Sequence, residues 1–202
     1  MIMKQVVFAM LRCKVIFLLL MVCYTTCHSQ EKKEREQRIE KQDFPTKALD
    51  LMAPYLKDAK RIRYYRESDR EKTSFECKFK RNRLLFSIEF DASGILEDVE
   101  FIIKKVDISN DSWNRINNHV EATYTNPRIK KIQQQYPSKK DSQEQILRDA
   151  FQNLLVPNIN YELIVTSKGK NGFEEYELLF DSRGYFLKAR KSLPQKYDHV
   201  LY

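Results

Sequence analysis

Two stretches of the chain, 90 positions apart, spell the same short phrase. Phe86-Ser87-Ile88-Glu89-Phe90-Asp91-Ala92-Ser93-Gly94 is matched by Tyr176-Glu177-Leu178-Leu179-Phe180-Asp181-Ser182-Arg183-Gly184. Both read as an alternating strand, then Phe-Asp-x-x-Gly, then a second strand. Repetition speaks to architecture before chemistry. One small β-rich unit is expected twice, and the pattern between the two phrases fills in the rest.

Asp43 is expected to cap a helix that begins near Phe44-Pro45, where Ala48, Leu51, Met52, Tyr55 and Leu56 recur at helical spacing with Pro54 inside the run. Strands are expected at 61–67, 75–79, 84–90 and 96–103. Ser109-Asn110-Asp111 then caps a second helix, with Trp113, Ile116 and Val120 on its apolar face. A strand at 128–136 places Ile132 and Tyr136 on one face and Ile129 on the other. A further helix from Asp141 or Ser142 carries Ile146, Leu147, Ala150, Phe151 and Leu154. Gln145 stands three residues after Ser142, as in a capping box. Three alternating strands follow, through Tyr161, Tyr176 and Tyr185. The expected fold is therefore α+β. It has two tandem repeats of a helix followed by an antiparallel sheet of about four strands each, with one extra helix in the second repeat. The repeats span 44–108 and 109–191, and 192–202 is a tail that packs through Leu193 and Tyr197.

The amino terminus points to export. Lys4, Arg12 and Lys14 precede the apolar run Val15–Val22, and small and polar residues follow. A basic n-region, short apolar region and polar c-region make a signal peptide, assigned to residues 1–29. An uncleaved anchor would need about 20 uninterrupted apolar residues, and Arg12 and Lys14 interrupt them. Lipidation of Cys27 is disfavoured by Tyr24-Thr25-Thr26 before it. Residues 30–43 then form a charged leader: from Glu31 to Lys41 the only apolar residue is Ile39. No membrane span is expected after cleavage.

Removing 1–29 takes away three Lys/Arg and no Asp/Glu, which lowers the formal net charge from +8 to +5. The remaining charges are mixed in sign and lack the basic stripe of a nucleic-acid binder. Three of the four cysteines lie in the export segment, so Cys77 has no internal disulfide partner. Beyond residue 29 the two histidines, His119 and His199, and the one cysteine are too few for a structural zinc site. No phosphate loop or nucleophile elbow is present. Asp91-Ala92-Ser93-Gly94 offers too few oxygen ligands for calcium. Phe90, Asp91, Gly94, Phe180, Asp181 and Gly184 therefore read as a repeated structural turn, with Asp bonding backbone N–H groups and Gly at positive φ. No catalytic, cofactor or metal residue is assigned. If Phe75, Cys77 and Phe79 face the core, Glu76, Lys78 and Lys80 face outward. By the same alternation Leu85, Ser87 and Glu89, and Glu175, Glu177 and Leu179, also face out. That surface is mixed and polar, with no large cavity for an apolar ligand.

The Phe-Asp-x-x-Gly turns and the Phe44-Pro45 helix opening resemble the PepSY-like proteins exported by Bacteroidetes, which are themselves similar to β-lactamase-inhibitor protein. The resemblance covers about Phe44 to Lys191. The chain departs from it at Arg81-Asn82-Arg83, where the family often has a glycine turn, and in the extra helix. The resemblance implies a small, non-enzymatic binding module of the cell envelope; the inhibitor that the family is similar to grips its partner protein with a concave sheet face. It carries no binding residue over. The expected function is an exported, non-catalytic module for an envelope protein or peptide. The alternative is a small-ligand or ion-binding periplasmic protein.

Overall fold

A computed structural model of the chain describes residues 30–32, 34–69, 72–138, 142–170 and 172–192. The proposed signal peptide, the tail beyond Ser192 and the alternative cap Asp141 lie outside the described residues. Strands β1 (Gln30–Lys32) and β2 (Glu34–Ile39) open the described chain, and helix α1 (Thr46–Leu56) follows. Then come β3 (Lys60–Asp69), β4 (Lys72–Arg81), β5 (Leu84–Asp91) and β6 (Leu96–Ile102). Helix α2 (Asn110–Thr123), β7 (Arg128–Pro137) and helix α3 (Gln143–Phe151) lead to β8 (Asn160–Gly169), β9 (Gly172–Asp181) and β10 (Phe186–Ser192). Among the described residues no helix is long and apolar enough to cross a membrane.

The strands make one sheet in the order β1-β10-β9-β8-β7-β6-β5-β4-β3-β2. From β2 to β10 every pairing is antiparallel. This overturns the expectation of two helix-plus-sheet repeats of about four strands each. β6 pairs with β7 from Asp98↔Pro137 to Ile102↔Gln133, so no sheet edge separates the two halves. Helix α3 reinforces that seam. Its Phe151 ring lies 4.5 Å from Tyr55 of α1 and 4.7 Å from Phe86 of β5, both stacked. Gln143 at its start accepts from the Leu96 N–H of β6 at 2.7 Å. The extra helix thus belongs to the first half as much as to the second.

The charged segment 30–43 also differs from expectation. It contains an edge strand, β2, paired residue by residue with β3 from Glu34↔Asp69 to Ile39↔Tyr64. An edge strand needs only one partner and tolerates polar side chains, so it lacks the apolar alternation that reveals a strand in sequence. β1 and β2 are one residue apart, yet they sit at opposite ends of the strand order. One face of the sheet curls into a hollow, lined by side chains from every strand between β2 and β10.

All three helices cover one face of the sheet, and the core lies beneath them. Cys77, Phe79, Ile88, Phe90, Phe101, Leu163, Leu178 and Phe180 from the strands meet Ala48, Met52, Ile116, Val120 and Leu147 from the helices. Two serine caps follow the sequence: Ser109 Oγ accepts from Ser112 N–H, and Ser142 Oγ from Gln145 N–H, but the Gln145 side chain turns to Asp149 Oδ1 at 2.6 Å instead of completing a capping box. Helix α1 instead starts after Pro45 with no side-chain cap. One facing assignment changes. A bulge between Ile129 and Lys131 turns Ile129 to the core side, where it packs alongside Ile132.

Candidate functional site

The two repeated turns have nearly identical geometry. Asp91 Oδ1 accepts from Ser93 N–H at 2.8 Å and Ile95 N–H at 2.9 Å. Asp181 Oδ1 accepts from Arg183 N–H at 2.9 Å and Tyr185 N–H at 2.8 Å. Gly94 and Gly184 sit at φ +78° and +82°. Phe90 and Phe180 are fully buried. Each glycine also backs onto a helix start, Gly94 against Pro45, Lys47 and Ala48, and Gly184 against Ser112. These six residues are structural, and the structure does not bring the two aspartates together. β6, β7 and β8 lie between their strands, roughly 19 Å along the sheet at ~4.8 Å per strand step. Cys77 and His119 are likewise apart in the fold. Cys77 is completely buried, and burial followed by the nearby Glu76 charge pushes its thiol up to about 12. His119 stacks on Phe186 at 4.3 Å in the other half, and burial lowers its pKa.

The chemistry lies on the face without helices. Curling makes that face a cup of about 810 Å³, lined from every strand between β2 and β10. Its described lining has eleven acidic and seven basic side chains, an acidic interior in a chain of formal net charge +8. Outward alternation places Glu76 and Lys78 of β4, Ser87 and Glu89 of β5, and Glu175 and Glu177 of β9 in this lining, as the sequence anticipates.

Two kinds of charge environment share the cup. Toward its β2 end, Lys78 Nζ lies 2.8 Å from Glu36 Oε2 and 2.7 Å from Glu76 Oε2. Ser87 Oγ donates to Glu76 Oε1. Burial would lower the Lys78 pKa, but Glu76 and Glu36 outweigh it and raise the group. Burial likewise pushes Glu76 up, yet hydrogen bonding from Glu67, the Lys78 charge and Ser87 hold it below the usual carboxylate range. Glu36, Glu67 and Glu76 place one oxygen each within 4.8 Å of one another, a spacing that suits a metal ion. Lys78 already provides a cation to two of the three. Nearby, Lys72 Nζ lies 2.7 Å from Glu97 and 3.9 Å from Glu89.

The central floor is different. Asp98 and Glu100 of β6 are served by amides: Gln135 Nε2 donates to Asp98 Oδ2 at 3.1 Å and to Glu100 Oε1 at 2.9 Å. Gln133 Nε2 donates to Glu100 Oε2 at 2.5 Å. Asn160 Nδ2 in turn donates to Gln135 Oε1 at 2.9 Å, which fixes that amide's orientation. Among the described residues, no lysine or arginine lies within ion-pair distance of Asp98 or Glu100. Burial, then the neighbouring carboxylates Glu89 and Glu162, hold Asp98 well above its ordinary range. Burial and then Asp98 do the same to Glu100, partly offset by Lys131 through space. Sequence reasoning missed Asp98, Glu100, Gln133 and Gln135 as a group. The Gln133-Gln134-Gln135 run on a strand is the signal that could have found them.

No protein-family model matches the sequence, and no curated protein matches it. Solved structures do share the fold. A DUF2874 family protein from Bacteroides ovatus superposes with a TM-score of 0.51 at 12% identity, covering 78% of this chain and 94% of its own. A second DUF2874 family protein, from Bacteroides uniformis, gives 0.50 at 11% identity, covering 73% and 89%. A BLIP-like protein from Bacteroides fragilis gives 0.46 at 13% identity, covering 73% and 86%. At these identities the likeness is one of fold: the chain has the fold seen in the two DUF2874 family structures.

Proposed function

We propose that this chain is an exported, non-catalytic binding module that grips an envelope protein or peptide in its cup. The observation that carries the reading is the cup itself, a concave face of about 810 Å³ lined by charged side chains of both signs. A mere solvent face has no need to fold its charges into a hollow, where desolvation is costly. Fixed charges in a concavity instead favour a complementary partner and set its register. Export rests on the amino-terminal sequence pattern, which places the module in the periplasm or envelope. The PepSY-like reading rests on the two Phe-Asp-x-x-Gly turns.

The test is photo-crosslinking in intact cells of the protein's own host. A crosslinking residue replaces Ser87, on the floor of the cup, or Glu121, exposed on α2. The expected result is one dominant envelope partner captured from position 87 and not from 121. Capture from 121 alone would move the binding face to the helices and reject the reading. The small-ligand or ion-binding alternative draws on Glu36, Glu67 and Glu76. Calorimetric uptake of calcium or zinc that is lost in Glu67→Gln would favour it.

A further inference from the structure

The central floor of the cup is short of positive charge, and one of its buried acceptors has no donor. Gln133 is 5% exposed and lines the cup. Its Nε2 is committed to Glu100, which turns its Oε1 the other way, and that oxygen has no hydrogen-bond partner. A buried carbonyl oxygen without a donor bears its full desolvation penalty, and such an atom in a native fold calls for a specific explanation. Beside it stand two carboxylates answered only by amides. Three acceptor groups thus line one floor, and what they lack is a donor carrying positive charge.

We propose that the floor at Asp98, Glu100 and Gln133 receives a basic side chain, an arginine or a lysine, from an extended peptide segment. This rests on the reading of the cup as the binding face and names the chemistry of its occupant. A guanidinium fits best. It presents several N–H donors in a planar fork that matches carboxylates and stays charged when desolvated. A metal ion fits less well, because the three-carboxylate set close enough to share one among the described residues is Glu36, Glu67 and Glu76. The other charges facing the pair come from every neighbouring strand: Lys72, Glu76 and Lys78 on β4, Glu89 on β5, Glu97 on β6, Lys131 on β7, Glu162 on β8 and Glu177 on β9. Their balance is negative, so it holds protons on the floor carboxyls and favours an arriving cation. Binding should therefore release protons from Asp98 and Glu100.

The experiment is titration calorimetry of the purified protein, in two buffers of different ionisation enthalpy. The probe is a blocked pentapeptide, Ala-Arg-Ala-Arg-Ala. The controls are the same peptide with citrulline or with glutamate for arginine, and calcium chloride alone. The expected result is binding of the arginine peptide with proton release. Affinity should fall about tenfold or more in the Asp98→Asn, Glu100→Gln double variant and rise in Lys131→Gln, which removes a competing cation. Lys131→Gln guards against a variant that merely misfolds. Equal binding of the citrulline peptide, no binding of the arginine peptide, or calcium uptake lost in the double variant would each overturn the proposal. Binding of the glutamate peptide alone would overturn it too, while leaving the cup as a binding face.

Discussion

At the scale of single residues, the repeated turn has a direct physical meaning. Aspartate ties two backbone N–H groups together, and glycine alone accepts the left-handed φ without a Cβ penalty. The two glycines differ in what lies behind them. A Cβ on Gly184 would stand 2.3 Å from the Ser112 carbonyl oxygen, whereas one on Gly94 would meet its nearest atoms at 3.2 Å. Gly94→Ala should therefore cost about 1–2 kcal/mol from backbone strain. Gly184→Ala should cost about 3 kcal/mol or more, since a backbone carbonyl cannot swing aside. Urea unfolding of the two variants measures the difference, and equal costs would deny the close approach of α2 to the turn. These residues were legible in the sequence because turn chemistry is local. Gln133 was not, because an unpartnered oxygen depends on which way a neighbouring carboxylate turns the amide.

At the scale of elements, the strands and helices of the middle of the chain could be read from their period, and three features could not. β2 has only Ile39 as an apolar residue, so an edge strand looked like a solvated leader. The bulge at Ile129/Lys131 shifts one residue across the sheet, and nothing in Arg128-Ile129-Lys130-Lys131 marks it. The partner of α3 was also hidden, since an amphipathic stripe says that a helix packs without saying where. Its Phe151 stacks with Tyr55, Phe79 and Phe86, and Arg81 lies over the same ring at 5.1 Å. Phe151→Ala should destabilise the protein by about 3 kcal/mol. Because α3 joins the two halves, unfolding of this variant should remain one transition by both fluorescence and circular dichroism. Two separated transitions would mean that the halves fold independently.

At the scale of the whole molecule, the cup follows from curling, and curling is set by pairings far apart in sequence. Alternation could say that Glu76, Lys78, Ser87 and Glu89 face outward, but not that this outside is concave. Collecting carboxylates there has a consequence for stability. Asp98 and Glu100 have folded pKa values above their ordinary 3.8 and 4.5. Their contribution is full below those values and is lost as pH rises through the raised folded pKa. Glu76 works in the opposite sense: its lowered pKa adds stability above 4.5 that is lost as pH falls through the folded value. Thermal melts should therefore show stability declining as pH climbs above the ordinary 3.8 and 4.5 of these two carboxyls. Asp98→Asn with Glu100→Gln should flatten that decline, and an unchanged slope would place the strain elsewhere.

The proposed binding surface is the helix-free concave face. Its most direct test is the affinity of the partner captured from position 87 for two charge reversals, Glu89→Lys in the cup and Glu121→Lys on α2. Glu89→Lys should weaken binding by about tenfold or more, and Glu121→Lys should leave it within about twofold. Weakening by Glu121→Lys with Glu89→Lys silent would contradict it.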